Sequence, residues 1–160
     1  MPLPRLPGFV ASIGRRLPQA PPTLALVGAL ETARRLGWLR DDDRSPLAGR
    51  RFEVEVRDAG LRCRFRYGNA GFRPDAGPPD VAFRADAETF VALLLRAEDP
   101  DTLFFQRRLV IEGDTELGLT VKNLLDAVDW DAIAARVPLG REILRLLAPR
   151  SAAPGQGGFR

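Results

Sequence analysis

Two runs near the middle of the chain alternate strictly between apolar and charged residues. Phe52, Val54 and Val56 alternate with Glu53 and Glu55, and Leu61, Cys63, Phe65 and Tyr67 alternate with Arg62, Arg64 and Arg66. A period of two is that of a strand with one buried and one wet face. Closing the runs through Arg57-Asp58-Ala59-Gly60 sets Val56 opposite Leu61, Val54 opposite Cys63 and Phe52 opposite Phe65. The same register sets Glu55 opposite Arg62 and Glu53 opposite Arg64. Because both faces agree, the pattern predicts an antiparallel hairpin. Cross-strand carboxylates account for Arg62 and Arg64, so the arginine row does not call for nucleic acid. Cys63 falls on the buried face and reads as an inert core thiol.

After the hairpin, Gly68-Asn69-Ala70-Gly71 reads as a turn and Arg73 to Pro79 as a loop. Val81 and Phe83 mark a third strand ending near Ala85. Asp86 is a natural N-cap for a helix through Ala97, and Phe90, Val91, Leu93, Leu94 and Leu95 make that helix apolar around most of its circumference. Asp99-Pro100 opens a short helical turn holding Leu103, Phe104 and Phe105. Leu109, Val110 and Ile111 predict a fourth strand, and Gly113 turns the chain. Asp114 then caps a helix whose Leu117, Val121, Leu124, Leu125 and Val128 form one stripe. Gly118 beside that stripe costs about 1 kcal/mol against alanine unless something must approach closely. A final helix is expected from Pro138 to Ala148, followed by a small, polar, disordered tail from Ser151 to Arg160.

The N-terminal stretch is punctuated by Pro2, Pro4, Pro7, Pro18, Pro21 and Pro22, leaving room for a helix between Gly8 and Leu17. Written helically, Phe9, Ile13 and Leu17 form a stripe with Val10 beside it, and Arg15 and Arg16 lie off it. Such a segment suits a bilayer interface with its arginines at anionic headgroups, and equally suits a cap on the domain's own core. A second helix is expected from an N-cap at Thr23 to Leu39. Asp41-Asp42-Asp43 and Ser45-Pro46 read as a solvated linker. The chain therefore divides into an N-terminal extension over 1–44, a folded domain over 45–148 and a tail over 149–160.

Composition narrows the chemistry. At 160 residues and 45% apolar content, one globular domain with extensions is the expectation. There is no histidine, which removes the commonest general base and metal ligand. A single cysteine excludes an internal disulfide or a self-contained iron–sulfur cluster and fits a reducing cytoplasm. Net charge is +3, and Lys122 is the one lysine, a bias attributable to codon usage. No stretch reaches the roughly 20 apolar residues of a membrane span. Ser12, Ser45 and Ser151 lie in extensions or loops without a histidine base. Gly113 to Gly118 fails as a phosphate loop, because Asp114 and Glu116 stand where phosphate would sit. No residue is assigned as acid, base or nucleophile, and no cofactor is expected.

What stands out is the apolar supply of Phe83, Phe90, Leu94, Phe104, Phe105, Leu109, Ile111, Leu117, Val121 and Leu125. Core and apolar cavity use the same residue types, so composition leaves both open. From Pro79 to Leu125 the order is an Asp-Val-x-Phe strand, a leucine-rich helix, a short acidic turn, then an apolar strand running into Glu-Gly-Asp and a long helix. This order resembles the sterol-carrier-protein family over roughly residues 48–130. The run from Asp99 to Leu119, with Val121-Lys122-Asn123-Leu124-Leu125-Asp126, is similar to members of that family that act as accessory factors in anaerobic ubiquinone biosynthesis.

The resemblance implies an α/β (α+β) fold, a sterol-carrier-like sheet covered by helices around an apolar cavity, with an N-terminal helical extension. It further implies a non-catalytic protein that binds isoprenoid quinone, a prenylated precursor or phospholipid. Its partners would be iron–sulfur hydroxylases of the ubiquinone pathway, which modify the quinone ring without dioxygen. Beside the resemblance, the residues themselves suggest a cytoplasmic protein, with Phe9, Val10, Ile13 and Leu17 as the candidates for peripheral contact at the inner membrane. Arg107, Arg108 and Lys122 are the candidates for docking an acidic partner or a headgroup. The competing expectation is a packed scaffold that recruits those hydroxylases without binding lipid.

Overall fold

The computed structural model describes residues 7–39, 45–94 and 96–127. A five-stranded sheet forms the centre, in the order β3-β2-β1-β4-β5. The strands are β1 (Arg51–Val56), β2 (Leu61–Gly68), β3 (Gly71–Pro74), β4 (Val81–Ala85) and β5 (Val110–Gly113). β1 and β4 run parallel, and the other neighbours are antiparallel. The hairpin forms in the expected register, from Val56 opposite Leu61 to Phe52 opposite Phe65, with Glu55 facing Arg62 and Glu53 facing Arg64. Six helices and helical turns accompany the sheet among the described residues: α1 (Gly8–Arg16), α2 (Ala20–Arg35), a 3-10 turn (Ser45–Leu47), α3 (Ala87–Leu94), α4 (Pro100–Phe105) and α5 (Thr115–Ala127).

β3 lies where the sequence predicts a turn and a loop. Four residues are too few for alternation to show, and the strand is fixed by tertiary partners instead. Phe72 packs against Phe65 and Tyr67 at ring-centroid distances of 6.2 and 4.8 Å. Its amide donates to the Glu31 carboxylate of α2 at 3.2 Å. α2 also starts earlier than expected. Pro21 and Pro22 occupy its first turn, where a missing N–H costs nothing, and Thr23 is buried instead of capping. The helix ends at Arg35, short of the expected Leu39, with Gly37 at a φ of 75°. The final helix and the tail expected beyond residue 127 lie outside the described residues, as do Asp41 to Asp43.

Alternation gives the sheet two unlike faces. On the charged face the Glu53 side chain is 2% exposed and meets Arg64 at 2.5 Å, Arg84 at 3.7 Å and Arg62 at 3.9 Å. Glu55 meets Arg84 at 3.2 Å and Arg62 at 3.3 Å. A carboxylate buried among cations is a network, in which removing one member leaves the others' charge uncompensated. The apolar face is covered by helices. α2 places Val27 on it, with Leu26 and Leu30 partly buried, so this helix belongs to the folded unit along with the sheet. α5 begins as expected, with the Asp114 carboxylate accepting the Leu117 amide at 3.0 Å. It lays Leu117 and Leu124 into the core over β4 and β5. Gly118 is the point of closest approach, since a Cβ there would lie 2.7 Å from Cγ2 of Ile111 on β5.

Candidate functional site

The buried apolar residues form two separate clusters on one face. The first joins Phe52, Phe65, Phe72 and Val81 of the sheet to Val27, Leu47, Leu117 and Leu124. The second is smaller and joins Ala85 to Leu103 and Leu109, with Phe90 and Leu93 of α3 packed against it. Along β4, Val81 belongs to the first cluster and Ala85 to the second, and Phe83 lies between them. Phe83 is only partly buried. So are its lateral neighbours Val54 on β1 and Ile111 on β5, and so are Val56 and Leu61 toward the hairpin turn.

Central strands are normally the best-covered part of a sheet that carries helices. Phe65, Phe52 and Val81 are buried under the helices, whereas Val54, Phe83 and Ile111 in the next row are only partly buried, packed against the first cluster. These three form a partly exposed apolar strip across the sheet. The ends of α3, α4 and α5 are cross-tied beside it. Lys122 of α5 pairs with Asp101 of α4 at 2.9 Å, and the Arg96 guanidinium after α3 donates to the Asp126 carbonyl of α5. Leu94, Phe104, Phe105 and Leu125, one or two from each tied element, are exposed.

Of the residues singled out by sequence, Phe83 and Ile111 belong to the strip, and Phe90 and Val121 are partly buried against the second and first clusters respectively. Leu109 and Leu117 are buried in the second and first clusters respectively. Val54, Val56 and Leu61 were not singled out, although the alternation already put them on the face that β1 shares with Phe83. The missing information was the parallel pairing of β1 with β4, which no local pattern encodes.

Residues 30–126 match the family described as the SCP-2 sterol transfer family, well over half of the chain. The chain belongs to that family. Over 94 residues it is 48% identical to the ubiquinone biosynthesis accessory factor UbiT of Escherichia coli K12, a match covering 58% of this chain and 54% of the relative. The UbiT of Escherichia coli O157:H7 gives the same figures. The match thus spans about half the length of these curated relatives. Among solved structures, the UbiJ-SCP2 ubiquinone synthesis protein superimposes with a TM-score of 0.52 at 22% identity, covering 68% of this chain and 97% of that one, which shows a shared fold.

Elsewhere on this SCP-2 domain, two of the three cations considered for docking are held internally. The Arg108 guanidinium donates to both oxygens of Glu98, at 2.6 and 2.8 Å, and this bond raises its pKa. The hydrogen bond from Lys122 to Asp101 likewise raises the lysine's. Arg107 is exposed. Cys63 is buried, burial raises its pKa, and a hydrogen bond with Thr23 works against that rise. Such a thiol is poorly nucleophilic. Among the described residues, no three His, Cys, Asp or Glu side chains converge as a metal site would require, and no helix is long and apolar enough to cross a membrane.

Proposed function

We propose that this chain is a non-catalytic, lipid-binding accessory factor of ubiquinone biosynthesis. It holds an isoprenoid quinone or prenylated precursor and presents the ring to oxygen-independent hydroxylases. The observation that carries this reading is the half-open apolar strip of Val54, Phe83 and Ile111 on the innermost strands of an SCP-2 domain. The likeness to UbiT supplies the pathway.

The physical basis is the tail. A prenyl chain laid along the strip contributes roughly 0.8 kcal/mol per methylene removed from water, so a few enclosed isoprene units outweigh the cost of immobilising the ring. A domain of about 100 residues has a radius of gyration near 13 Å, so a long tail coils or protrudes. The exposure of Leu94, Phe104, Phe105 and Leu125 supports a role for them in covering the protruding part. A bare scaffold acting through Arg107, Arg108 and Lys122 is less well supported, because Glu98 and Asp101 already occupy two of those three cations.

The deciding experiment is organic extraction of the protein purified from bacterial cells, followed by mass spectrometry. Isoprenoid quinone or a prenylated precursor in stoichiometric amount is expected. An extract consistently free of any lipid would overturn the reading.

A further inference from the structure

Helix α1 is mounted with its small residues inward and its large apolar residues outward. The buried positions are Ala11 and Gly14. Phe9, Ile13 and Leu17 are 65%, 56% and 54% exposed, and Val10 is partly so. A helix that served only to cap its own domain would bury the large side chains, which gain the most from leaving water.

The mounting itself is tight. A Cβ at Gly14 would overlap the Ala59 carbonyl oxygen of the β1–β2 turn, and one at Gly60 would overlap the Ala11 carbonyl oxygen. Gln19 fastens the C-terminal end of the helix further. Its amide nitrogen donates to the Gly14 and Leu17 carbonyls at 2.8 and 3.0 Å, and its oxygen accepts the Arg62 amide of β2 at 2.8 Å. The outward stripe is therefore held by backbone contacts, and rotating the helix to hide it would break them.

We propose that α1 is a rigid docking face for an anionic lipid surface. The choice of occupant follows from the charges. Arg15 and Arg16 are exposed in its last turn, and the helix carries no acidic residue in its first turn. At about 100° per residue Arg16 lies about 20° from Phe9, so a cation borders the apolar stripe instead of facing away from it. An apolar stripe edged by arginine suits acyl chains below and phosphate headgroups beside it. The same end of the sheet carries Val56 and Leu61, so docking by α1 would bring the open strip's hairpin end toward the lipid surface. The proposal does not depend on what fills the strip.

The test is flotation of the full chain with quinone-free vesicles. One set is phosphatidylcholine containing about a third phosphatidylglycerol, and the other is pure phosphatidylcholine, with folding followed by circular dichroism. The chain is expected to float with the anionic vesicles and much less with the neutral ones. Ile13→Asp, at an exposed position, should reduce the bound fraction by about tenfold or more with unchanged circular dichroism. The double variant Arg15→Glu/Arg16→Glu should do so with the stripe intact. Absence of flotation, binding that survives Ile13→Asp, or a variant that converts a dimer to a monomer would each overturn the proposal. The last result would assign the stripe to a second copy of the chain. Because the vesicles carry no quinone, none of these failures bears on the quinone reading.

Discussion

Replacing Val54 by tryptophan tests whether the strip is where the tail lies. Val54 is only partly buried, between Cys63 and Phe83 on the innermost strand, so a larger side chain there takes up surface on which the tail is proposed to lie. Val54→Trp adds a volume comparable to about three or four methylenes. If it displaces that much prenyl chain, binding weakens by about 2.5–3 kcal/mol, or roughly a hundredfold. The control is Val54→Ala, which enlarges the strip and should cost folding stability only about 0.5–1 kcal/mol at a partly exposed site. The assay extracts each purified variant and measures moles of isoprenoid quinone or precursor per mole of protein, beside a thermal melt. Loading should collapse in Val54→Trp and persist in Val54→Ala, with both melting cooperatively. Undiminished lipid in a folded Val54→Trp would show that the ligand does not run over β1, and the assignment of the strip would fail.

Further outcomes follow from individual contacts. Leu94→Arg places a charge at an exposed position beside the tied helix ends, and should lower lipid loading severalfold while leaving the melting temperature within a few degrees, by the same extraction and melt. Gly118→Ala drives a Cβ to 2.7 Å from Ile111 Cγ2, so overpacking of about 1–3 kcal/mol should exceed the gain of roughly 1 kcal/mol in helix propensity. Urea denaturation should show a net loss, and that loss should shrink when Gly118→Ala is made in an Ile111→Ala background, which removes Cγ2. Glu31 is held at a pKa of about 2, chiefly by its hydrogen bond from Arg34, with Arg35 and the Phe72 amide adding to it. Because the folded value lies below the ordinary 4.5, this contribution is complete above pH 4.5 and disappears as pH falls toward 2. Glu31→Gln should therefore flatten the stability profile across that window and lower stability at neutral pH by about 1–2 kcal/mol. A profile as steep as the parent's would disprove the assignment.

The hairpin was legible because its two faces constrain the register independently. A slip of one residue would turn Glu53 and Glu55 away from their arginines and set charges among the apolar side chains under the helices, so Phe52 to Val56 admit one pairing with Leu61 to Phe65. The cap at Asp114 was legible for a similar reason, since it is a local bond between a carboxylate and an amide three residues on. β3 and the start of α2 were not. Phe72 becomes part of a strand through Glu31, 41 residues away, and a Pro-Pro pair reads as a break when seen without the helix that follows it. The site was half legible. Periodicity assigned Phe83 and Ile111 to the apolar face, but which row the helices leave uncovered depends on how α2, α3 and α5 are spaced over the sheet. The mounting of α1 was equally out of reach, because its apolar stripe fits core and lipid alike until the contacts of Ala11 and Gly14 are seen.

An uncovered apolar strip has a cost that the rest of the fold must carry. Val54, Phe83 and Ile111 each forgo part of the roughly 1.5–3 kcal/mol that full burial of such a side chain contributes. Part of the offset lies on the opposite face, where Glu53 joins Arg62, Arg64 and Arg84 across three strands. On the proposed reading the ligand supplies the rest, because a prenyl chain on the strip would complete a core that the chain leaves unfinished. Binding to the folded state alone raises stability by about 2.7 kcal/mol when free ligand stands a hundredfold above its dissociation constant. Protein stripped of lipid under native conditions should thus melt several degrees lower than protein as purified, and adding back a short-chain isoprenoid quinone should restore the difference. If stripped and loaded protein melt together, the strip contributes nothing to the fold when filled, and the half-exposure of Val54 and Phe83 is not the mark of a ligand site.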